Sequence, residues 1–380
     1  MRLFEKYQIL RMIIGILKEI KNNENRIALI PEKAKLLTAK NHQVLVEFDA
    51  GIGSGYTNQD YKLAGCKIIQ SSNEIFLTSD IVLKVKEPLE SEYKLLNNKA
   101  TLFTYLHLAA NSKLTNSLLN AGTTAIAYEN VSPDNKNFPL LKPMSEIAGK
   151  LAPQIASNFL QKQNGGLGVL IGGTETVPAL KIGIIGAGTV GYNATSIALG
   201  MQANVYVFDI DEEKLLNLNN NYPDVNTVLS NQQNLNDILP LMDVIINGIY
   251  IPGASAPKII DQALLQQLKN NCLIVDVAID QGGSVENLTP TSHDDPIVNI
   301  NQVYGYAVPN MPGVVPRTAS KALNEATFPY IEYLANNGVE HSIKNNNEIA
   351  NGVNTYKNKL TSKPVADSLN LNFSPLDELI

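Results

Sequence analysis

The stretch "KIGIIGAGTVGYNA" constrains the fold of this chain most strongly, because its glycines stand between an apolar run and a helical pattern. Gly186, Gly188 and Gly191 give the spacing G-x-G-x-x-G. The first glycine permits a tight turn, the second lets the backbone approach a pyrophosphate, and the third lets helix and strand pack closely. Amides at the helix start then face the phosphates. The motif predicts a Rossmann-type unit that binds a dinucleotide.

The predicted strand after this motif, "NVYVFDID", contains Asp209, 18 residues beyond Gly191. An acid at this position accepts hydrogen bonds from the adenosine ribose hydroxyls and repels a 2′-phosphate. The alternative is a turn or cap residue. Motif, strand and spacing together favour the ribose interpretation and predict NAD, rather than NADP, as the cofactor.

Short β-rich runs alternate with helical patterns along the rest of the chain. Before the glycine motif, strands are predicted at 12–19, 42–49, 80–87, 100–107 and 123–130, and helices at 31–40 and 111–122. After it, the runs "DVIINGIY", "CLIVDVAID" and "VYGYAVPN" continue the series. This alternation predicts an α/β fold with parallel sheets covered by helices on both faces.

Two longer segments complete the predicted organisation. Residues 145–166 are predicted to form one long helix, capped by Ser145, kinked at Pro153 and ended by "GG". A helical tail is predicted from about Arg317. The Asn-rich segment 341–359 is predicted to be a solvated connection.

The composition limits the class of protein. A chain of 380 residues has room for about two domains. Its formal net charge of -6 argues against nucleic-acid binding, which needs a basic surface. We also expect no membrane contact, because no apolar run approaches the roughly 18 residues of a membrane span.

The cysteines and the leader bear on the compartment. Cys66 and Cys272 lie far apart and form no metal or redox motif, so both are predicted to be small buried hydrophobes in a reducing compartment. Charges interrupt the leader, which lacks the apolar core of a signal peptide. We therefore expect a cytoplasmic protein without a metal site. Met12 is a second candidate start, which leaves open whether residues 1–11 are an extension.

Polar residues that can do chemistry recur at the ends of predicted strands. They are Arg26, Lys86, Asp280 and His107, the last of which stands in the apolar run "LFTYLHLAA". Ligands of open parallel sheets bind beyond the carboxyl ends of the strands. We therefore expect these four residues to converge.

Each of the four has a structural alternative that is favoured when the residue is taken singly. Arg26 would be a surface ion pair, one of Lys84 and Lys86 would be solvated, and His107 would be a core residue. Asp280 would cap the turn at the following "GG". Together, however, they supply a carboxylate clamp, a fixed cation, an imidazole and an acid. Oxidation of an amino acid to a keto acid requires such a set, although the residues alone leave the substrate open.

Seven motifs in register resemble the alanine dehydrogenase family, from Met12 to about residue 370. Besides the glycine motif they are "KEIKNNENRIALIP", "VLKVKEP", "LFTYLHLAA", "LLKPMSEIAGKLA", "IVDVAIDQGG" and "VPNMPGVVPRTAS". The wider family includes the NAD-binding part of proton-translocating nicotinamide nucleotide transhydrogenase. The resemblance implies reversible, NAD-dependent oxidative deamination of L-alanine to pyruvate and ammonia.

The resemblance also implies roles for individual residues. Arg26 matches the arginine that binds the substrate carboxylate, and Lys86 the lysine that touches the keto or amino group. His107 matches the histidine that acts as acid and base in a dry pocket. Asp280 matches the aspartate opposite that histidine.

Three further residues match positions at the substrate and the cofactor. Met144 and Ser145 match residues at the domain crossing, where they line the substrate and nicotinamide sides respectively. Asn310, in "PNMPG", matches an asparagine near the substrate carboxylate.

The fold implied by the resemblance has two Rossmann-like domains with the active-site cleft between them. A discontinuous substrate domain would comprise residues 1–140 and 318–380, and the NAD-binding domain residues 141–317. Members of this family are usually hexamers, so a homo-hexamer is expected.

One loop departs from the family pattern. Where the family commonly reads "GAVLIPGAKAP", this chain reads "NGIYIPGASAP" at 247–257. Asn247, Tyr250 and Ser255 are unusual there. The loop approaches the cofactor in the family, so its effect on nicotinamide placement is left open.

Two other classes of function compete with the enzyme. One is the soluble nucleotide-binding subunit of a transhydrogenase, and the other is a catalytically silent NAD-binding module. Neither would need Arg26, Lys86 and His107 together as a substrate-binding set. Their joint presence favours the enzyme.

Overall fold

The computed structural model describes residues 10–249 and 256–380. Its strands in chain order are β1 Ile13–Ile16, β2 Gln43–Glu47, β3 Lys67–Ile69, β4 Ile81–Leu83, β5 Thr101–Thr104, β6 Ala125–Ala127, β7 Lys181–Ile185, β8 Asn204–Asp209, β9 Asn226–Leu229, β10 Val244–Asn247, β11 Leu273–Asp276, β12 Ile297–Ile300, β13 Val303–Tyr306, β14 Val353–Tyr356 and β15 Lys359–Leu360.

Helices connect most of these strands. They are α1 Pro31–Ala39, α2 Asn58–Leu63, α3 Ser72–Thr78, α4 Ser112–Ala121, α5 Lys142–Phe159, α6 Thr189–Gly200, α7 Glu212–Asn221, α8 Gln232–Ile238, α9 Gln262–Leu265, α10 Pro316–Asn337, α11 Val339–Asn345, α12 Asn347–Gly352 and α13 Lys363–Leu369. Among the described residues, no helix has the length and apolar character that crossing a bilayer requires.

The chain divides into two compact units. The first unit comprises the chain up to Met144 together with Gly313–Ile380, and the second comprises Ser145–Pro312. Within the first unit, α10 holds the segment that follows β1. The side chains of Ser320 and Asn324 accept hydrogen bonds from the amides of Ile27 and Ile30, at 2.9 and 2.8 Å respectively.

The sheet of the first unit has the order β15-β14-β6-β5-β4-β1-β2-β3. Strands β1 to β6 pair in parallel, whereas β14 is antiparallel to both β6 and β15. The direction of strand order reverses between β1 and β4. In open α/β sheets such a switch point, at the carboxyl ends of the strands, is where ligands bind.

The sheet of the second unit has the order β12-β13-β11-β10-β7-β8-β9. All of its pairs are parallel except β12 with β13. Its switch point lies between β7 and β10, and the glycine motif directly follows β7. Apart from the antiparallel edge strand β12, this strand order is that of a dinucleotide-binding fold.

Burial on both faces explains why the parallel strands are continuous apolar runs. In β1, for example, Ile14 and Ile16 are fully buried. Helix α4 shows how the local sequence sets the element bounds. Asn111 caps its first turn by accepting from the amide of Leu114 at 3.0 Å, and Gly122 ends it at a φ of 69°. The buried faces of Leu114 and Leu118 belong to the core under this sheet.

The predicted α/β fold with two Rossmann-like sheets is confirmed, although the sheets are mostly, not wholly, parallel. The long helix begins at Lys142 and ends at Phe159, so Ser145 lies in its first turn and does not cap it. Residues 341–359 are not a solvated connection. They include α12 and the buried strand β14, which extends the first sheet.

The predicted burial of both cysteines is confirmed. Cys66 and Cys272 are both free and buried. Burial raises the pKa of each thiol to about 12.

Candidate active site

The glycine motif has the backbone geometry that its sequence predicts. Gly186 has a φ of +97°, in the region that favours glycine. A Cβ on Gly191 would lie 1.7 Å from the carbonyl oxygen of Gly186, whereas one on Gly188 would meet nothing within 4 Å. Helix α6 starts after Gly188 without a side-chain cap. The turn therefore offers open space and helix-start amides to an anion.

Asp209 ends β8 beside this turn. Its Oδ2 accepts a hydrogen bond from the amide of Ala187 at 2.6 Å, and its Oδ1 accepts from Asp211 at 2.9 Å. Each carboxylate oxygen has a second lone pair, so this arrangement still allows ribose hydroxyls to donate. Asp209 thus has the local turn contact considered as the alternative, and also the position expected of a ribose acceptor.

Helix α5 packs against the helix of the glycine motif. A Cβ on Gly149 would lie 2.3 Å from the carbonyl oxygen of Val190, so only glycine allows this approach. Ser145 lies one turn before Gly149 in the same helix and is partly buried. Its cofactor-binding role stays a prediction.

Six charged residues are buried beyond the switch point of the first sheet. This buried charge cluster consists of Glu19, Glu24, Arg26, Lys84, Lys86 and Glu92, each less than a tenth exposed. Three of them follow β1 and two follow the adjacent strand β4. Burying a charge is costly unless it is paired or meets a ligand. The individual pairings therefore indicate what the cluster does.

Arg26 is buried and pairs with Glu24. Its Nε donates to Oε1 of Glu24 at 2.8 Å and its Nη2 to Oε2 at 2.5 Å, while Nη1 donates to the sulfur of Met144 at 3.1 Å. Burial lowers the pKa of Arg26, but the bonds and charge of Glu24 raise it by more, so the net shift is upward. The surface ion pair considered for Arg26 is wrong, because this pair is buried.

Lys84 is fully buried between two carboxylates. Its Nζ lies 3.2 Å from Oε2 of Glu19 and 3.0 Å from Oε1 of Glu92. Burial lowers the pKa of Lys84, but the charges of Glu19 and Glu92 outweigh it and the net shift is upward. The expectation that one of Lys84 and Lys86 is solvated is therefore wrong.

Lys86 differs from Lys84 in its pairing. It is 6% exposed, yet within the described part of the chain its Nζ makes no hydrogen bond or ion pair. Its backbone is fixed, because its amide donates to Oε1 of Glu19 at 3.2 Å and its carbonyl accepts from Thr104 at 3.0 Å. Burial raises the pKa of the neighbouring carboxyl of Glu87, but the charge of Lys86 lowers it, and the net shift is downward. A buried cation without a hydrogen bond or ion pair nevertheless suits an anionic or polarised ligand.

His107 follows β5 at the same edge of the sheet. Its backbone has a φ of 49°, and its amide donates to Oε1 of Glu129 at 2.6 Å. That oxygen lies 3.8 Å from Nδ1, and the imidazole lies parallel to the ring of Tyr105. The side chain is 46% exposed. The core-residue alternative is therefore wrong, and so is the expected dry pocket in this structure.

Asp280 follows a strand of the second sheet, whereas the other three predicted residues follow strands of the first sheet. Strand β11 ends at Asp276, and Asp280 follows in a short 3-10 turn, Ile279–Gln281. Its Oδ2 accepts from the amide of Asn310 at 3.1 Å. The strand-end argument thus groups Arg26, Lys86 and His107 at one sheet edge, and the expected approach of Asp280 to them stays a prediction.

The turn that carries Asp280 is organised by Asp276. This buried carboxylate accepts from the amides of Ala278 and Ser284 at 3.0 and 2.9 Å, and burial raises its pKa. The alternative in which Asp280 caps the glycine turn is therefore wrong. Asn247 donates to Oδ1 of Asp276 at 2.7 Å, so this unusual residue is built into the turn. Tyr250 and Ser255 lie outside the described residues.

The sequence reasoning missed several carboxylates. Glu19 and Glu24 stand in the same motif as Arg26, and Glu129 ends the predicted strand 123–130. The strand-end signal that singled out His107 could have found Glu129. Glu92 lies in a 3-10 turn without a local signal, and only the fold brings it to Lys84.

Comparison with known proteins identifies the family to which both units of this chain are similar. Residues 15–148 match the alanine dehydrogenase/PNT N-terminal domain, and residues 152–363 match the C-terminal domain. An alanine dehydrogenase of Staphylococcus haemolyticus is 45% identical over 97% of this chain and 99% of its own length. Alanine dehydrogenase 2 of Staphylococcus aureus is 44% identical over 97% of this chain and its full length.

Solved structures give the same result. An L-alanine dehydrogenase structure is similar with a TM-score of 0.90 and 42% identity, covering 94% of this chain and 99% of that one. A transhydrogenase from Sinorhizobium meliloti shares the fold, with a TM-score of 0.77 and 22% identity over 92% of this chain and 99% of that one. This chain belongs to the alanine dehydrogenase/PNT family.

Proposed function

We propose that this protein is an NAD-dependent alanine dehydrogenase, which converts L-alanine, water and NAD to pyruvate, ammonium, NADH and a proton, and runs the reverse reductive amination. This proposal rests on one observation. Arg26, Lys86 and His107 follow three strands at one sheet edge, in a chain that also has a glycine turn suited to a dinucleotide. Curated relatives of almost equal length, 44–45% identical, support this activity over the transhydrogenase alternative.

Arg26 would hold the substrate carboxylate. Glu24 engages the Nε and Nη2 edge of the guanidinium, which fixes the plane of the cation. A substrate carboxylate would approach the Nη1 edge, where the Met144 sulfur is the present neighbour. A planar guanidinium matches a carboxylate better than an ammonium does. This proposal gives Met144 a substrate-side role, and Asn310 is proposed to lie near the same carboxylate.

Lys86 and His107 would act on the carbon that loses hydrogen. When bound, the nicotinamide supplies a hydride acceptor. Lys86 would stabilise negative charge that develops on the carbinolamine or keto oxygen. His107 would take a proton from the water that adds to the imine and return one to the leaving ammonia, because imidazole titrates near neutral pH. Asp280 is proposed as the acid opposite His107.

NAD is the proposed cofactor, held at Gly186, Gly188, Gly191 and Asp209, with Ser145 on the nicotinamide side. The open space at Gly188 fits a pyrophosphate, and the position of Asp209 at a strand end fits an adenosine ribose. The carboxylate would accept from the ribose hydroxyls and repel the extra phosphate of NADP.

Replacing Asp209 by Ala should weaken NAD affinity about tenfold or more, the loss expected for a hydrogen bond to a charged group. The preference for NAD over NADP should narrow, because the repelling charge is gone. Asp209→Asn is the matched control, since it removes the negative charge while its side-chain oxygen can still accept the hydrogen bond from the amide of Ala187. Titration with both cofactors measures the effect. Wild-type protein that uses NADP as readily as NAD would contradict the assignment.

Replacing Arg26 by Lys keeps the charge but loses the planar fork. The KM for alanine and for pyruvate should rise about 10- to 100-fold, with NADH affinity nearly unchanged. Arg317→Lys is the matched control, because Arg317 is exposed and stacks over Tyr56. An equal loss of NADH affinity in Arg26→Lys would remove Arg26 from the substrate site.

The purified protein alone should reduce NAD when L-alanine is added, and should oxidise NADH when pyruvate and ammonium are added together. A transhydrogenase subunit would instead exchange hydride between nucleotides only with its partner. A silent module would do neither. Absorbance at the NADH band separates the three outcomes, and failure of alanine to support reduction would overturn the proposal.

A homo-hexamer is also proposed, on the family resemblance. A cytoplasmic location is proposed because two free, buried cysteines fit a reducing compartment. Exposed apolar side chains at Leu167, Leu170 and Val177 in the second unit would suit contact with another copy. Light scattering measures the mass of the assembly, and a monomer at all concentrations would contradict the hexamer.

A further inference from the structure

Lys84 is the most deeply buried cation of the buried charge cluster, and the proposed function gives it no role. Its Nζ bridges Glu19 and Glu92. The two carboxylates are in turn tied to the backbone around β4. Oε1 of Glu19 accepts from the amides of Val85 and Lys86 at 2.6 and 3.2 Å, and Oε2 of Glu92 accepts from Leu89 at 2.9 Å.

These contacts place a carboxylate against the backbone of Lys86, the proposed substrate cation. A buried carboxylate without a counterion attracts the nearest cation strongly. Lys84 supplies the counterion of Glu19. The ammonium of Lys86 makes no ion pair in the described structure, although its charge acts on Glu87. Two lysines at alternate positions thus have separate electrostatic tasks.

We infer that Lys84 is a positioning residue for the substrate cation. It neutralises Glu19 and Glu92 so that Lys86 stays directed to the substrate rather than pairing with Glu19. This inference rests on the proposed function of Lys86. The proposed role of Lys84 involves no contact between Lys84 and the substrate.

The test uses Lys84→Met, which keeps the length of the side chain and removes its charge. Lys86 should then pair with Glu19, so the KM for pyruvate should rise about tenfold or more. NADH affinity should change little. A triple variant adds Glu19→Gln and Glu92→Gln to Lys84→Met. It removes the competing carboxylates together with the cation. This neutral triple variant should return the KM to within about threefold of wild type, because a buried ionic network is replaced by neutral groups of similar size.

The outcomes separate the inference from a purely structural role. An unchanged pyruvate KM in Lys84→Met, with only a lower Tm, overturns the inference. If Lys84→Met does not fold, Lys84→Met with Glu92→Gln, which leaves Glu19 charged, is compared with the triple variant. A KM that is raised in the first and near wild type in the second supports the inference, and an equal KM in the two overturns it. Wild-type protein without alanine turnover would instead overturn the proposed function, which the same assay detects first.

Discussion

His107→Ala should fold and bind NADH, but its turnover of alanine should fall roughly 100-fold or more, as expected for a lost general acid and base. The imidazole is 46% exposed, so its removal leaves no cavity in the core. The proposed cofactor residues Gly186 and Asp209 lie in the other unit. Steady-state turnover and thermal unfolding on the same preparation measure both effects.

Two matched variants sharpen this test. His107→Asn removes the base but suits the positive φ of 49°, since asparagine tolerates the left-handed region, and it should be equally inactive. His42 is the structural counterpart. It is buried, its Nδ1 accepts from the amide of Met12 at 3.3 Å, and its Nε2 lies 3.2 Å from Oδ1 of Asn336.

His42→Ala should therefore lower the Tm and leave most of the turnover of the folded protein. If His107→Ala behaved like His42→Ala, or remained stable and fully active, the catalytic role of His107 would be lost.

Lys86→Met should reduce turnover about 100- to 1000-fold, the range for removing one preorganised electrostatic donor. Its Tm should stay level or rise, because a buried cation without a protein ion pair is replaced by an apolar chain. Lys113→Ala, at an exposed ion pair with Glu90, is the control and should retain activity. A large loss of stability with normal turnover would contradict the proposed role.

The double variant of Lys86→Met with His107→Ala tests whether the two residues act together. Residues that serve one transition state are not additive, so the combined loss should be much smaller than the product of the single losses. A loss equal to that product would mean that the two residues act in independent steps.

The second unit was predictable where its signals are local. The turn at Gly186–Gly191 needs specific backbone angles and close approaches, and glycine spacing records both directly. The strand before it is a continuous apolar run because both faces are buried. Asp209 follows from the same local pattern, since it ends the next strand.

The first unit was harder because distant contacts decide its polar residues. Lys84 stands in an alternating pattern that predicts a solvated face, but β4 ends at Leu83 and Glu19 and Glu92 bury the ammonium. The apolar neighbours of His107 predicted burial. However, β5 ends at Thr104, and the backbone at His107 is held in the left-handed region by Glu129.

One further difference comes from strand pairing between segments that are far apart in sequence. Asn-rich composition predicted a solvated segment at 341–359, whereas Val353–Tyr356 pairs with β6, from a part of the chain far away in sequence. The expected approach of Asp280 to His107 stays a prediction, because the strand-end rule does not state which sheet a strand joins and β11 belongs to the second sheet.

The most direct test of the account is transfer of hydrogen from the α-carbon of alanine. With L-alanine deuterated at that carbon and NAD as the only other substrate, the purified protein should form deuterated NADH in equal amount to pyruvate and ammonium. NADH formed without deuterium, or no NADH at all, would contradict the claim that this chain is an alanine dehydrogenase.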